Sequence, residues 1–154
     1  MPMSFTHSLY LDTLLPRGKL IHWGMNFYIA TRFSNEDFRQ QALEIKDKLE
    51  AAGHKMTFDW MNGKTLKPYS ENVEITREAS QMALNGALEA DLFILIPEPG
   101  GTGMYVEFGA ALAKSLTDKN LRIYLLGPYK DYVLFNYHPS VVWKDSIEEI
   151  LAEI

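Results

Sequence analysis

The sequence contains no cysteine among its 154 residues. Disulfide bonds, cysteine-ligated zinc sites and thiol nucleophiles are therefore excluded, and the absence fits a reducing compartment. No apolar run reaches the roughly 18 residues that a membrane-spanning helix needs. The first residues also lack the basic stretch and apolar block that mark a signal peptide. These absences lead us to expect a cytoplasmic protein without membrane contact.

An excess of positive charge is also lacking, since the formal net charge is −5. Non-specific nucleic-acid binding is therefore not expected. The loop after the first predicted strand has no Gly-x-Gly-x-x-Gly pattern, and no Gly-Lys-Ser/Thr marks a P-loop. The four histidines are scattered and the acidic residues show no metal-ligand spacing. The sequence therefore predicts no metal site.

What is present is typical of one globular domain, with 47% hydrophobic and 23% charged residues. Strand-like runs alternate with stretches of helical spacing. The runs lie at 26–30, 55–60, 91–96, 121–126 and 141–143. This alternation predicts a single-domain, flavodoxin-like (Rossmann-like) α/β sandwich with a five-stranded parallel sheet. Residues 1–24 depart from the pattern and are interpreted as an N-terminal extension to a domain at 25–154, with Met25 as an alternative start.

The predicted helices carry recognisable start signals. Ser34 or Asn35 is expected to cap the first helix, Ser70 the second and Asp145 the last. The second helix has an apolar stripe that includes Ile75, Ala79, Met82, Ala83 and Ala87. Gly86 interrupts this stripe, which weakens the prediction of its last turns.

The most informative stretch is the loop after the third strand. An apolar run ends at Pro97, a loop with three glycines follows, and a helical pattern opens at about Met104. Open α/β sheets bind ligands at this edge, where the loops 31–35, 59–69 and 97–103 are predicted to meet. Glu107 lies in the predicted first turn of the helix. A carboxylate there either complements the helix dipole or acts on a ligand, and the residues alone favour neither.

Several segments of the chain follow a known pattern: Tyr28-Ile-Ala30, Phe58-Asp-Trp60, Asp91 before an apolar strand, and Gly103-Met-Tyr-Val-Glu-Phe-Gly-Ala-Ala-Leu112. They resemble the nucleoside 2-deoxyribosyltransferase family, which includes transferases and nucleotide N-glycosidases. The likeness runs from about Met25 to the C-terminus and is greatest to short, poorly characterised bacterial and phage members. It implies cleavage or transfer of the N-glycosidic bond of a (deoxy)nucleoside or nucleoside monophosphate, without a metal or organic cofactor.

The resemblance also implies roles for individual residues. Glu107 would be the nucleophile that attacks the anomeric carbon and forms a covalent glycosyl-enzyme. Tyr28 would orient its carboxylate, and Arg32 would bind a phosphate. The remaining expected substrate-binding residues are Trp60, Gly101, Gly103, Met104 and Asn136. Asn136 would reach the pocket of a neighbouring subunit, so a homo-oligomer, a dimer or larger, is expected.

One position departs from the family. Ala83 stands where transferases carry an aspartate that contacts the base and moves its proton. Asp59, or else Glu98, could replace that acid if its pKa were raised toward neutrality. Two other functions stay open. One is a NAD or ADP-ribose glycohydrolase of the Toll/interleukin-receptor type, whose cationic nicotinamide needs no protonation, and the other is a non-catalytic nucleotide-binding module.

Overall fold

A computed structural model describes residues 24–154 of the chain. The predicted N-terminal extension lies outside the described residues, apart from Gly24. Within residues 24–154, no helix has both the length and the apolar character needed to cross a membrane. The same part of the chain contains no group of three or more His, Asp or Glu side chains that could hold a metal ion.

All strands of the sheet run parallel, in the order β2-β1-β3-β4-β5. The strands are β1 Asn26–Ala30, β2 Lys55–Met56, β3 Leu92–Leu95, β4 Arg122–Leu126 and β5 Val141–Lys144. The helices are α1 Glu36–Ala51, α2 Val73–Glu89, α3 Gly103–Ser115 and α4 Ile147–Leu151. This order confirms the predicted flavodoxin-like fold, and it places the topological switch point between β1 and β3.

The helices cover both faces of the sheet. Phe27 and Ile29 of β1 pack in the core that α1 and α4 close. Tyr28 and Ala30 point to the opposite face, into the core closed by α2 and α3. Because side chains alternate along a strand, Tyr28 is placed on the same side of the sheet as α3, the helix that carries Glu107.

The second strand is shorter than predicted, since β2 ends at Met56. The Thr57 N–H still donates to the Phe27 carbonyl at 2.9 Å. Beyond it, the indole Nε1 of Trp60 donates to the Ile29 carbonyl at 2.8 Å. A side chain thus takes the hydrogen bond that a longer strand would have made, which is why the strand-like run to residue 60 is misleading.

Two of the predicted helix caps are wrong. Asn35 caps α1 as expected, because its side chain accepts from the N–H groups of Asp37 and Phe38. Ser70, however, lies in a short 3₁₀ turn, and α2 begins only at Val73. Ser146 caps α4 by accepting from the Glu149 N–H, while Asp145 pairs with Lys130.

The apolar stripe predicted for α2 is mostly not buried. Ile75 is 58% exposed and Met82 is 44% exposed, whereas Gly86 and Ala87 are buried. A Cβ atom on Gly86 would lie 2.8 Å from Phe58 Cβ and 3.1 Å from two ring carbons of Tyr28. Gly86 therefore allows α2 to approach the sheet closely, and the glycine that weakened the sequence prediction is a packing requirement.

Candidate active site

Glu107 lies in the second turn of α3, because that helix begins at Gly103. The expectation of a first-turn position is wrong, and the helix dipole gives this carboxylate less stabilisation than expected. Burial raises the pKa of Glu107 from 4.5 to about 7, against a smaller lowering by the Tyr28 hydroxyl. Within residues 24–154, no other side chain is found to shift the pKa of this carboxyl.

Tyr28 is fully buried, and its hydroxyl has no partner at full hydrogen-bond geometry within the described residues. The Glu107 carboxylate is nonetheless close enough to affect it. Burial raises the pKa of Tyr28 well above its usual range, and the charge of Glu107 and a weak hydrogen bond to it add to the rise. The phenol therefore stays protonated beside the Glu107 carboxylate.

Packing fixes the Tyr28 ring in place. The ring stacks on Phe93 with centroids 5.7 Å apart and planes inclined by 17°. Phe93 in turn stacks on Phe108 of α3 at 6.2 Å, and Gly86 of α2 contacts the Tyr28 ring from another side. Aromatic contacts of this kind leave the ring little freedom, so the hydroxyl is held where the strand and the two helices direct it.

Glu98 is a second carboxylate at the same edge of the sheet, and its partners differ from those of Glu107. Nη1 of Arg32 lies 3.2 Å from both of its oxygens, and the Gly100 N–H donates to it at 2.9 Å. Nε of Arg32 donates to Ser34 at 3.0 Å. Glu98 is only 8% exposed. This ion pair joins the loops after β1 and β3 across the switch point.

The glycines of the loop after β3 make this arrangement possible. A Cβ on Gly100 would lie 2.0 Å from Nη1 of Arg32, and one on Gly101 would lie 2.8 Å from Cε of Met104. Met104 itself is buried in the core beneath α3. Gly103, in contrast, opens onto free space. All three were expected to bind substrate, but Gly101 and Met104 pack on each other and only Gly103 of the three stays accessible.

Asp59 and Trp60 lie near the start of the loop that follows β2. The Asp59 carboxylate accepts from the Met61 N–H at 3.0 Å and from Asn62 at 3.2 Å, and it pairs with Lys46 of α1 at 3.2 Å. The Trp60 ring meets Phe33 edge-on at 6.0 Å. Among the described contacts, none joins Asp59 to Tyr28 or Glu107, so the structure does not bring the predicted acid to the predicted nucleophile.

Asn136 is fully buried in its own chain. Its Nδ2 donates to the Lys130 carbonyl at 2.9 Å, while Oδ1 has no partner within the described residues. The Tyr105 hydroxyl is likewise buried without a partner at full geometry there. Burial raises the pKa of Tyr105, and an interaction with Asn136 opposes this rise. No role was predicted for Tyr105, although it lies inside the segment that carries the family resemblance.

An apolar groove runs beside α3 and has a volume of about 800 Å³. Its walls include Tyr105, Phe108, Leu112, Leu116, Leu134 and Phe135. Leu116, at the end of α3, is exposed. Glu107 does not line this groove, so the groove and the carboxylate belong to different parts of the α3 surface.

Comparison with known proteins gives one structural likeness. No known protein family matches the chain, and no curated protein matches it either. The CMP N-glycosidase of Clostridium botulinum is 18% identical, and the alignment covers 83% of this chain and 96% of that chain with a TM-score of 0.47. A likeness at this level says nothing about the activity of the present chain.

Proposed function

We propose that the protein is a cytoplasmic enzyme that cleaves or transfers the N-glycosidic bond of a (deoxy)nucleoside or nucleoside monophosphate, with Glu107 as the nucleophile. The observation that carries the proposal is the setting of this carboxylate. It is partly buried near the switch point, it has a pKa of about 7, and it lies against the hydroxyl of Tyr28. Such perturbed groups in a ligand-binding edge are candidates for catalysis.

The chemistry follows from that setting. The ionised Glu107 attacks the anomeric carbon as the base departs, and a covalent glycosyl-enzyme forms through an oxocarbenium-like transition state. Water or a second base then attacks the same carbon and releases the carboxylate. A pKa of about 7 leaves a large fraction of Glu107 ionised at neutral pH. Tyr28 stays protonated and orients the attacking oxygen by donating to the carboxylate.

Other residues of the edge have places in this proposal. Within the described residues Arg32 uses Nε and Nη1 for its bonds to Ser34 and Glu98, which leaves Nη2 for a 5′-phosphate. Trp60 and Gly103 are assigned to the walls of the substrate pocket, while Gly101 and the buried Met104 shape the loop beneath it.

A second copy of the chain is expected to complete the enzyme. Val106 is 62% exposed, Leu134 81% and Phe135 60%. Exposed apolar patches of this kind mark contact surfaces. Asn136 lies in the loop that forms one wall of the groove beside α3. Its Oδ1, which has no hydrogen-bond partner among residues 24–154, is assigned to substrate contact at the subunit interface.

The test is release of the base from a panel of nucleosides, nucleoside monophosphates and NAD, measured by chromatography. We expect Glu107→Gln to lower the rate by about 1,000-fold or more, since it removes the nucleophile. Glu89→Gln, at the exposed end of α2, is the matched control and should keep full activity.

A trapping experiment addresses the covalent step. A substrate fluorinated at C2′ should leave its glycosyl group on the peptide that contains Glu107, as shown by mass spectrometry. Turnover of Glu107→Gln at the wild-type rate, or a glycosyl group on another residue, would contradict the proposal. Ligand-dependent thermal stabilisation without any product would instead identify a binding module.

A further inference from the structure

The leaving base raises a question that the nucleophile does not answer. A neutral nucleobase departs as an anion unless an acid protonates it, and a positioned acid typically contributes about 100- to 10,000-fold to such a step. The sequence analysis predicts two candidates for this acid, Asp59 and Glu98, and both lie in loops at this edge of the sheet.

Both carboxyl groups already have a cationic partner and N–H donors. Asp59 accepts two N–H donors and pairs with Lys46 at 3.2 Å. Glu98 accepts the Gly100 N–H and pairs with Arg32. Donors and a cation thus engage both groups, and no described contact joins either of them to Glu107. Neither group is placed to pass a proton to a base that leaves from the Glu107 side.

The phenol beside Glu107 does not supply that proton either. Burial and the charge of Glu107 raise the pKa of Tyr28, which makes it a poorer acid than a free phenol. On α2, Ala83 is partly buried one turn before Gly86, which contacts the Tyr28 ring. The side chain at that position is a methyl group. The described part of the site thus contains a nucleophile without a matching acid.

The charges of the site suit a positively charged base. The charge of Arg32 is balanced by Glu98, whereas Glu107 has no cationic partner within the described residues. A cation bound next to Glu107 would favour its ionised form and so increase the fraction of active nucleophile. A neutral base would have no such effect.

From these contacts we infer that the substrate is an N-glycoside with a cationic base, such as an N-alkylated purine or a pyridinium, which leaves without protonation. The inference rests on the proposed nucleophilic role of Glu107. An oxygen of Glu107 forms a bond to C1′, and the C1′–N bond breaks with its electron pair moving to nitrogen, which neutralises the base. Water then bonds to C1′, the ester bond breaks with its pair returning to Glu107, and a proton leaves to solvent.

Two matched substrate pairs test this inference on the wild-type chain. The pairs are 7-methylguanosine with guanosine, and nicotinamide mononucleotide with cytidine monophosphate. Within each pair the two bases have the same number of rings, and only one of them is cationic. After subtraction of spontaneous hydrolysis, kcat/KM should be at least about 100-fold higher for the cationic member of a cleaved pair.

The outcomes separate this inference from the proposed function. Equal or faster turnover of the neutral members, lost in Glu107→Gln, would overturn the cationic substrate and keep the nucleophile. Turnover of none of the four compounds would overturn both. Preference for the cationic member, again lost in Glu107→Gln, would support both.

A gain of function sharpens the test. Ala83→Asp adds a carboxyl group on α2, and it should raise the rate with guanosine and cytidine monophosphate about tenfold or more while the cationic substrates change little. Ala83→Asn has the same size without an acid and should give no gain. Circular dichroism checks that both variants are folded. Equal rates of the two folded variants with the neutral substrates would contradict the view that the missing acid limits the cleavage of these substrates. If both variants unfold, the substrate pairs decide alone.

Discussion

Glu98 and Glu107 lie at the same edge of one sheet, and their surroundings are opposite. Glu98 is held by the guanidinium of Arg32 and by a backbone N–H. Glu107 has a buried phenol beside it and no cation within the described residues. One carboxylate is therefore a structural link between two loops, while burial raises the pKa of the other to about 7.

The difference shows that partners, and not the residue type, decide what a carboxylate can do. A paired anion is stabilised and is a weak nucleophile, because its charge is already engaged by donors. An unpaired, desolvated carboxylate costs stability when it ionises but reacts readily. The chain thus stabilises the loops with one glutamate and gives up stability at the other.

The largest effect is expected from Glu107→Gln on stability. The folded pKa of about 7 lies above the unfolded value of about 4.5, so ionisation destabilises the folded chain. The penalty is absent well below pH 4.5, grows as the pH rises from 4.5 to 7 and is constant above that. At pH 8 the variant should be more stable by up to about 3 kcal/mol, falling below about 1 kcal/mol at pH 5.

Urea unfolding at both pH values measures this difference. Glu98→Gln is the matched control and should destabilise at pH 8, because it removes an anion that its partners stabilise. If Glu107→Gln raised the free energy of unfolding by the same amount at pH 5 and pH 8, burial of the charged carboxylate would not be the cause of the increase.

Loss of the cation at Glu98 should have the next largest effect. Arg32→Met leaves a buried carboxylate with one N–H donor, and the expected loss is about 2 kcal/mol, since part of the arginine is exposed to solvent. Arg77→Met breaks the exposed pair with Glu74 and should cost less than about 0.5 kcal/mol. Urea unfolding compares the two, and equal losses would mean that the Arg32 pair is worth no more than a surface pair.

Removal of the phenol should change catalysis more than stability. Tyr28→Phe is expected to lower kcat about tenfold, close to 1.4 kcal/mol. Because the Tyr28 hydroxyl lowers the pKa of Glu107, the acidic limb of the pH–rate profile should also move to higher pH. Tyr124→Phe removes a phenol that donates to Glu153 at 2.9 Å on the other face of the sheet. An identical profile shift in that variant would contradict a local role for Tyr28.

Much of the fold could be predicted from local sequence. β1 has the bounds that its aromatic and β-branched residues predict, and Asn35 caps α1 as expected. The end of β2 could not be predicted, because the Trp60 indole replaces a backbone donor only once Ile29 lies next to it. Contacts between residues that are distant in sequence thus decide where a short strand-like segment ends as a strand.

The site was predictable only in part, for a similar reason. The alternation of β1 places Tyr28 on the face of α3, and the family resemblance pointed to Glu107. The partner of Glu98 could not be predicted, since Arg32 lies 66 residues away in the chain. Sequence patterns indicate which groups reach an edge, but charge balance there depends on which loops touch.

Gly86 is the residue whose meaning changes most between sequence and structure, and its substitution is the finest test of how Tyr28 is held. A Cβ at this position would lie 2.8 Å from Phe58 Cβ and 3.1 Å from the Tyr28 ring. Gly86→Ala should therefore lower the free energy of unfolding by about 1 kcal/mol, after allowance for the better helix propensity of alanine. It should also lower kcat by a larger factor than it raises KM. Gly109→Ala adds a methyl group where nothing lies within 4 Å. It should raise the free energy of unfolding by up to about 1 kcal/mol. If both variants gain stability and keep kcat, α2 does not set the position of the Tyr28 hydroxyl, and the contrast between the two glutamates depends on β1 and α3 alone.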